Sequence, residues 1–349
     1  MKTKFYKYKQ YAALVMAPCF IAIVLFSCKK LLPKDREEIG FDSQYITTVY
    51  EPVLGRNTVF SNNFYKGSTS FPATFSIINP RTYAGDPAPE LTDIFPVVVW
   101  KQAYDGTEKS LAEIEAKRVV ENHHLFEVKE HSGEFVMWNT DAVSSMSNIL
   151  KTQPDSGYVF DVQMDNTGGR RYFKNLRLKP LRERSFEPSN MDPYTGQTAY
   201  PYGYANSLNV FGTKGHYIGG GDILVAITPV SNGNGHSLTF RFLDTLYKPI
   251  NPNKFFLTKW DKVVHGFNMV KTDTSVTYDV GYPIPLASIP TPYTTPDGKN
   301  ATVSFSYSRL GFNGIRMVAS VGYNFNIYKK GDWLITFLFI GDNPKFEDE

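Results

Sequence analysis

The chain has 349 residues, 42% of them hydrophobic and 20% charged, with two cysteines and a formal net charge of +3. That length suits about two domains, each able to bury a core, and the composition excludes disorder, collagen-like repeats, coiled coil and a disulfide-stapled mini-protein. An aromatic content of 15%, with 22 tyrosines and 26 phenylalanines, leans towards strands.

Residues 1–10 carry Lys2, Lys4, Lys7 and Lys9 and no acid, and an apolar run from Tyr11 to Ser27 follows. A basic head, an apolar middle and a small residue before the cut describe a signal peptide over residues 1–27. Seventeen residues also lie at the lower edge of a membrane-spanning length, the reading for an uncleaved anchor. The ending Leu25-Phe26-Ser27-Cys28 resembles the lipobox of a bacterial lipoprotein, although Phe26 is bulkier than is usual there. That resemblance implies that the Cys28 thiol is acylated and becomes the first residue of the mature chain. Cys19 then leaves with the signal, so no thiol remains for a nucleophile, a metal ligand or a disulfide. Losing four lysines leaves 33 basic residues against 34 acids, and +3 becomes −1. Nucleic-acid binding loses its electrostatic support.

Residues 28–45 read as a polar, flexible tether. Its cluster Lys34-Asp35-Arg36-Glu37-Glu38 resembles the surface-export signal of Bacteroidetes lipoproteins. The expected location is therefore the outer membrane, lipid-anchored and facing the cell exterior.

Short strands broken by turns begin near Ile46. Ala73–Asn79 and Ile94–Lys101 are rich in Phe, Val and Ile. Ser110-Leu111-Ala112-Glu113 has a capping-box pattern, and a surface helix against the sheet is predicted from Ser110 to Glu121. Two hairpins are predicted: Leu125–Lys129 with Glu134–Asn139, and Gly157–Asp165 with Arg170–Leu178 around Asn166-Thr167-Gly168-Gly169. Leu181–Asn190 is charged, contains Pro188 and marks the best domain boundary, giving domains at 46–187 and 188–349. A loop-rich stretch, Met191–Gly221, carries seven glycines and five tyrosines. Beyond it Leu238, Phe240 and Phe242 alternate with Thr239 and Arg241, and Val303, Phe305 and Tyr307 alternate with Ser304, Ser306 and Ser308. Period-two patterning of this kind predicts an all-β, mainly antiparallel fold of two β-sandwiches. The first is expected to be immunoglobulin-like with one inserted helix, and the second to be lectin-like.

Several segments together resemble a family of Bacteroidetes surface lipoproteins known as domain-of-unknown-function family 5007. They are VLGRNTVF (53–60), PAPELTDIFPVVVWKQAYDGTEKSLAEIEAKR (87–118), HSGEFVMWN (131–139), TQPDSGYVFDV (152–162) and LRLKPLRERSFEPSN (176–190). The resemblance brings no established chemistry. It implies an accessory lipoprotein beside a starch-utilisation-type uptake system, with a TonB-dependent transporter and a lid lipoprotein as partners and a polysaccharide as ligand.

No G-x-S-x-G elbow, Walker A loop or dinucleotide fingerprint is present. His123, His124 and His131 lack metal-ligand spacing and read as surface histidines. No cofactor is expected; Asp165-Asn166-Thr167-Gly168 and Asp192-Pro193-Tyr194-Thr195-Gly196 also suit a structural calcium but read first as turns. A glycan hydrolase would need two carboxylates about 5–10 Å apart, which 34 acids make cheap to supply. The sharper signal is aromatic. Tyr194, Tyr200, Tyr202 and Tyr204 fall in a Gly/Pro-rich stretch, with Asn190, Asp192 and Gln197 as polar neighbours. Rigid aromatic planes stack on the apolar faces of sugar rings at little entropic cost. Tyr293, Trp138 and Trp260 are further candidate platforms. The expectation is non-catalytic glycan binding, with a structural or protein-interaction role as the alternative, in which the tyrosines are buried.

Overall fold

A computed structural model describes residues 36–140, 150–199, 202–231, 235–311 and 314–349, apart from the side chains of Tyr202 and Ser231. The signal segment, Cys28 and Tyr200 lie outside the described residues. The fold is all-β and mainly antiparallel, with two short α-helices among the described residues, Pro89–Thr92 and Leu111–Ala116.

In the N-terminal half, a four-stranded sheet runs in the order Val49–Tyr50, Gly169–Leu178, Tyr158–Asn166, Thr74–Thr82. A three-stranded sheet of Thr58–Phe60, Phe135–Met137 and Phe126–Val128 packs over it. Alternation drives this half: Tyr158, Phe160, Val162 and Met164 all point inward and are fully buried. Phe135 sits at the centre, with the rings of Tyr50 and Phe160 4.8 and 5.3 Å away and edge-on. The second predicted hairpin forms as read, closing at Asn166↔Gly169.

Residues 36–45, assigned from sequence to the flexible tether, are held against this domain. Glu37 N donates to Thr167 Oγ1 (3.0 Å), Asn166 Nδ2 donates to the Glu38 carbonyl (3.1 Å), and Gln44–Tyr45 pairs with Phe64–Tyr65. At the other end of the domain, Phe186–Glu187 pairs with Asn326 and Ile327 of the C-terminal half, so the chain changes domain before residue 187.

The predicted helix is shorter and lies elsewhere. Ser110 Oγ accepts from Glu113 N (3.2 Å), as an N-cap should, but the helix ends at Ala116. Arg118–His124 is instead paired residue for residue with Ile94–Trp100, where β-branched Val119 and Val120 fit better. Residues 101–117 thus form an arm at the end of a two-stranded ribbon. The arm packs on the C-terminal domain and not on the N-terminal sheet: Ile114, Tyr104 and Leu286 form a small buried cluster of their own, flanked by Phe267 and Ile289.

The C-terminal sandwich has a six-stranded sheet in the order Tyr202–Tyr204, Ile223–Ser231, Asp332–Phe339, Ser237–Leu243, Ser275–Val280, Gly266–Lys271. Its second sheet is built on Arg316–Ile327, which pairs with Ala301–Leu310 along one side and with Asn206–Leu208 and Phe186–Glu187 along the other. Inward residues Phe240, Phe242, Phe305, Phe325 and Phe337 fill the space between the sheets. Residues 202–208 serve both sheets, turning the corner at buried Ala205.

Candidate functional site

The candidate aromatics do not converge. Trp260 is 8% exposed and belongs to the C-terminal core, where its carbonyl accepts from Tyr278 Oη (2.6 Å), so it is not a platform. Tyr293 is half-buried and stacks on His265, with ring centroids 4.8 Å apart and 7° between planes. Trp138 packs on His123 at 4.5 Å and its Nε1 donates to Glu127 Oε2 (2.9 Å) in the N-terminal domain. Tyr194 is exposed but its hydroxyl reaches Glu51 (3.3 Å), across the domain boundary. Asp192 is a turn residue: its Oδ1 accepts from the amides of Tyr194 and Thr195 at 2.7 and 3.0 Å, which holds its carboxyl below the usual range. Gln197 is exposed and its carbonyl accepts from Asp192 N, closing the same small turn, with Asn190 just before it. Tyr204, 63% exposed, pairs with Leu224 at the edge of the six-stranded sheet and faces the outer side of that sheet, because its neighbour Gly203 faces the core.

An open groove of about 210 Å³ lies on the outer face of the second sheet of the C-terminal sandwich, the one built on Arg316–Ile327. Its floor is Ser320 and Gly322 on the strand Arg316–Ile327. The register places Asn206 and Ser304 on either side of Gly322, Leu208 and Ser306 on either side of Ser320, and Thr302 opposite Asn324. These side chains face outward because Val303, Phe305, Val321 and Tyr323, which alternate with them, are buried in the core. A side chain longer than glycine at 322 would raise the floor, and its Cβ would lie 3.0 Å from the Val303 carbonyl. The side chains of Asn206, Thr302, Ser304, Ser320 and Asn324 make no hydrogen bond within the described chain, so their donors and acceptors are all available to a ligand. Among the described residues, no carboxylate lines the groove. Its volume is below the ~300 Å³ of enclosed small-molecule pockets, so it is an open trough and not a closed cavity.

None of the groove residues was singled out from sequence as a site. The alternation of Ser304 and Ser306 with aromatics was legible, but the register that sets Asn206 and Asn324 beside them depends on strands far apart in the chain.

A second polar site lies between the domains and is closed. His265 Nε2 donates to the Glu108 carbonyl (2.7 Å), so Nδ1 is the acceptor for the Tyr104 hydroxyl at 2.6 Å. Burial pushes the Tyr104 hydroxyl up and keeps it protonated for that bond. Burial works against ionisation of Glu108, but the Lys117 ammonium and backbone amides outweigh it and hold its carboxyl below the usual range. Every group here is satisfied, so the arrangement fastens the arm to the domain. Among the described residues, no group of three or more His, Cys, Asp or Glu is placed to hold a metal ion.

No curated protein matches the sequence. A family match spans both sandwiches, and extends well past the segments that carry the resemblance in the N-terminal half: the chain belongs to the family described as Domain of unknown function (DUF5007), which it matches over residues 64–348.

Proposed function

We propose that this chain is a non-catalytic lipoprotein of a Bacteroidetes outer membrane, anchored through Cys28, that binds a glycan at the cell surface for an adjacent TonB-dependent transporter and its lid lipoprotein. The observation that carries the reading is the groove over Ser320 and Gly322, where hydroxyl and amide side chains stand free and no carboxylate is present. A sugar chain offers many hydroxyls and no charge, and an open trough of neutral donors and acceptors is complementary to it. Hydrolysis of a glycosidic bond needs two acids flanking it, and the groove supplies none.

The test is calorimetric titration of the full chain in detergent with a panel of neutral polysaccharides. Asn206→Ala/Asn324→Ala should weaken binding about tenfold or more, since two hydrogen bonds of about 1 kcal/mol each are lost. Ser320→Phe should fill the trough and abolish binding with the fold intact. Binding that both variants retain would refute the groove.

A protein partner is the second reading, favoured by the exposed apolar residues Leu208, Val318 and Ile315 (59, 52 and 61% exposed) at one end of the same sheet face. Absence of binding to any polysaccharide, with the chain captured by the transporter complex, would favour it.

A further inference from the structure

The opposite face of the C-terminal sandwich carries a feature that neutral-glycan binding does not use. Arg241 lies on the strand Ser237–Leu243, inside the six-stranded sheet, and its inward neighbours Phe240 and Phe242 fix it on the outer face. The register sets Thr336 on one side of it and Ser275 on the other. Its guanidinium makes a single described hydrogen bond, from Nη2 to Thr336 Oγ1 (3.3 Å), and its Nε is enclosed with no partner. No described carboxylate pairs with it. The nearest acid along the sheet, Asp273, lies two residues before Ser275 and accepts from Asn251 Nδ2 (2.8 Å); Asp279 and Asp332 stand four residues along their strands from Ser275 and Thr336, about 13 Å away. Both are already occupied: Asp279 accepts from Asn268 Nδ2 (2.7 Å) and Asp332 from Ser237 Oγ (2.6 Å).

A half-buried guanidinium with most of its five donors unused is an unusual surface element, because partly desolvated charges are normally paired. Its planar fork matches the two oxygens of a carboxylate or of a sulfate ester. Around it the face is lined with hydroxyls and small side chains. Thr239 and Thr277 are bonded to each other at 2.9 Å, Ala226 lies beyond Thr336, and Leu243 and Leu338 stand two residues further along the same face.

We propose that Arg241 is the centre of an anion-binding site that takes the carboxylate or sulfate-ester groups of an acidic polysaccharide. The site is separate from the groove, on the other sheet, and does not depend on it. A chain carrying one charge per residue engages Arg241 through one group at a time, with neighbouring hydroxyls contacting the sugar on either side.

The test is titration of the full chain in detergent with polygalacturonate, dextran sulfate and neutral dextran at low and high salt. The expected result is binding of at least one acidic polymer in preference to dextran, weakened by salt. Arg241→Gln should weaken that binding about tenfold or more, and Arg241→Lys should restore it only in part, because the ammonium lacks the fork. Loss with one acidic polymer alone identifies carboxylate or sulfate as the ligand group. Asn206→Ala/Asn324→Ala should leave acidic-polymer binding unchanged, which separates this site from the groove. Equal binding by the parent and by folded Arg241→Gln would overturn the proposal, as would equal affinity for dextran and both acidic polymers. If Arg241→Gln fails to fold, Thr336→Val, which removes the hydroxyl that orients the guanidinium, serves in its place: unchanged affinity there also overturns it.

Discussion

Truncation of Ile114 to alanine is expected to release the arm while both sandwiches stay folded. Ile114 is fully buried, yet its cluster with Tyr104 and Leu286 is separate from the two large cores. Large-to-small changes at buried aliphatic sites cost about 2–5 kcal/mol. The flanking Trp100, Leu111 and Phe267 are only partly buried and can close into the space, which favours the lower part of that range, about 2–3 kcal/mol. Because the loss falls on docking of the arm, the population of the undocked form should rise by roughly thirtyfold to a hundredfold, at 1.4 kcal/mol per factor of ten. Native-state trypsin digestion reads this directly, since Lys101 and Lys109 are exposed on the arm and cleavage tracks the open population when reclosing is fast. Cutting there should accelerate by that factor, with near-ultraviolet circular dichroism and the main melting transition little changed. An unchanged cutting rate would refute the reasoning. So would cleavage that rises in step at sites throughout the chain, because the arm would then be part of one cooperative unit with the sandwiches.

Glu108 adds a pH dependence to the same joint. Its folded pKa lies below the ordinary glutamate value of 4.5, so its contribution is fully present above that value and is lost as pH falls through the folded one. Arm cleavage by an acid-active protease should therefore increase below about pH 4.5, and Glu108→Gln should remove that step. Trp260→Ala should destabilise the C-terminal domain by about 3–5 kcal/mol in urea unfolding, because the side chain is core, and a change under 1 kcal/mol would contradict its placement. Tyr204→Ala, at a site 63% exposed and outside the groove lining, should shift stability by less than about 0.5 kcal/mol and leave glycan affinity in calorimetry unchanged. Tyr194→Phe removes only the contact with Glu51, and glycan affinity should not change.

Sequence patterning reached the strands more completely than the surfaces they build. Where the chain alternates locally, as at 158–178, hydrophobic period and turn residues agree, and hairpin, register and inward face follow from one short segment. The helix at 111–116 was visible through its cap, but its end was decided by pairing of Val119 and Val120 with Val98 and Val99, a tertiary term that local propensity does not contain. Nor does anything near Tyr104 announce that its partner is His265, 161 residues away. The aromatic candidates divide for the same reason. An exposed tyrosine in a glycine-rich loop and a tryptophan beside a strand look alike as sequence, yet Tyr204 faces outward and Trp260 fills the core. The groove combines residues from 206 to 324 whose common feature is being small and polar on one face, a property of the assembled sheet.

The strand at 202–208 is hydrogen-bonded to one sheet through Tyr202–Tyr204 and to the other through Asn206–Leu208. It acts as a cross-stitch between the two layers, alongside the Ile284–Ile327 bridge, whose two backbone bonds of 2.7 and 2.8 Å also join them. Shear of one sheet over the other would have to tear one of those ladders. Asn206 in the groove wall is therefore fixed to the same frame as the Arg241 face, and the spacing between the two surfaces is set before any ligand arrives.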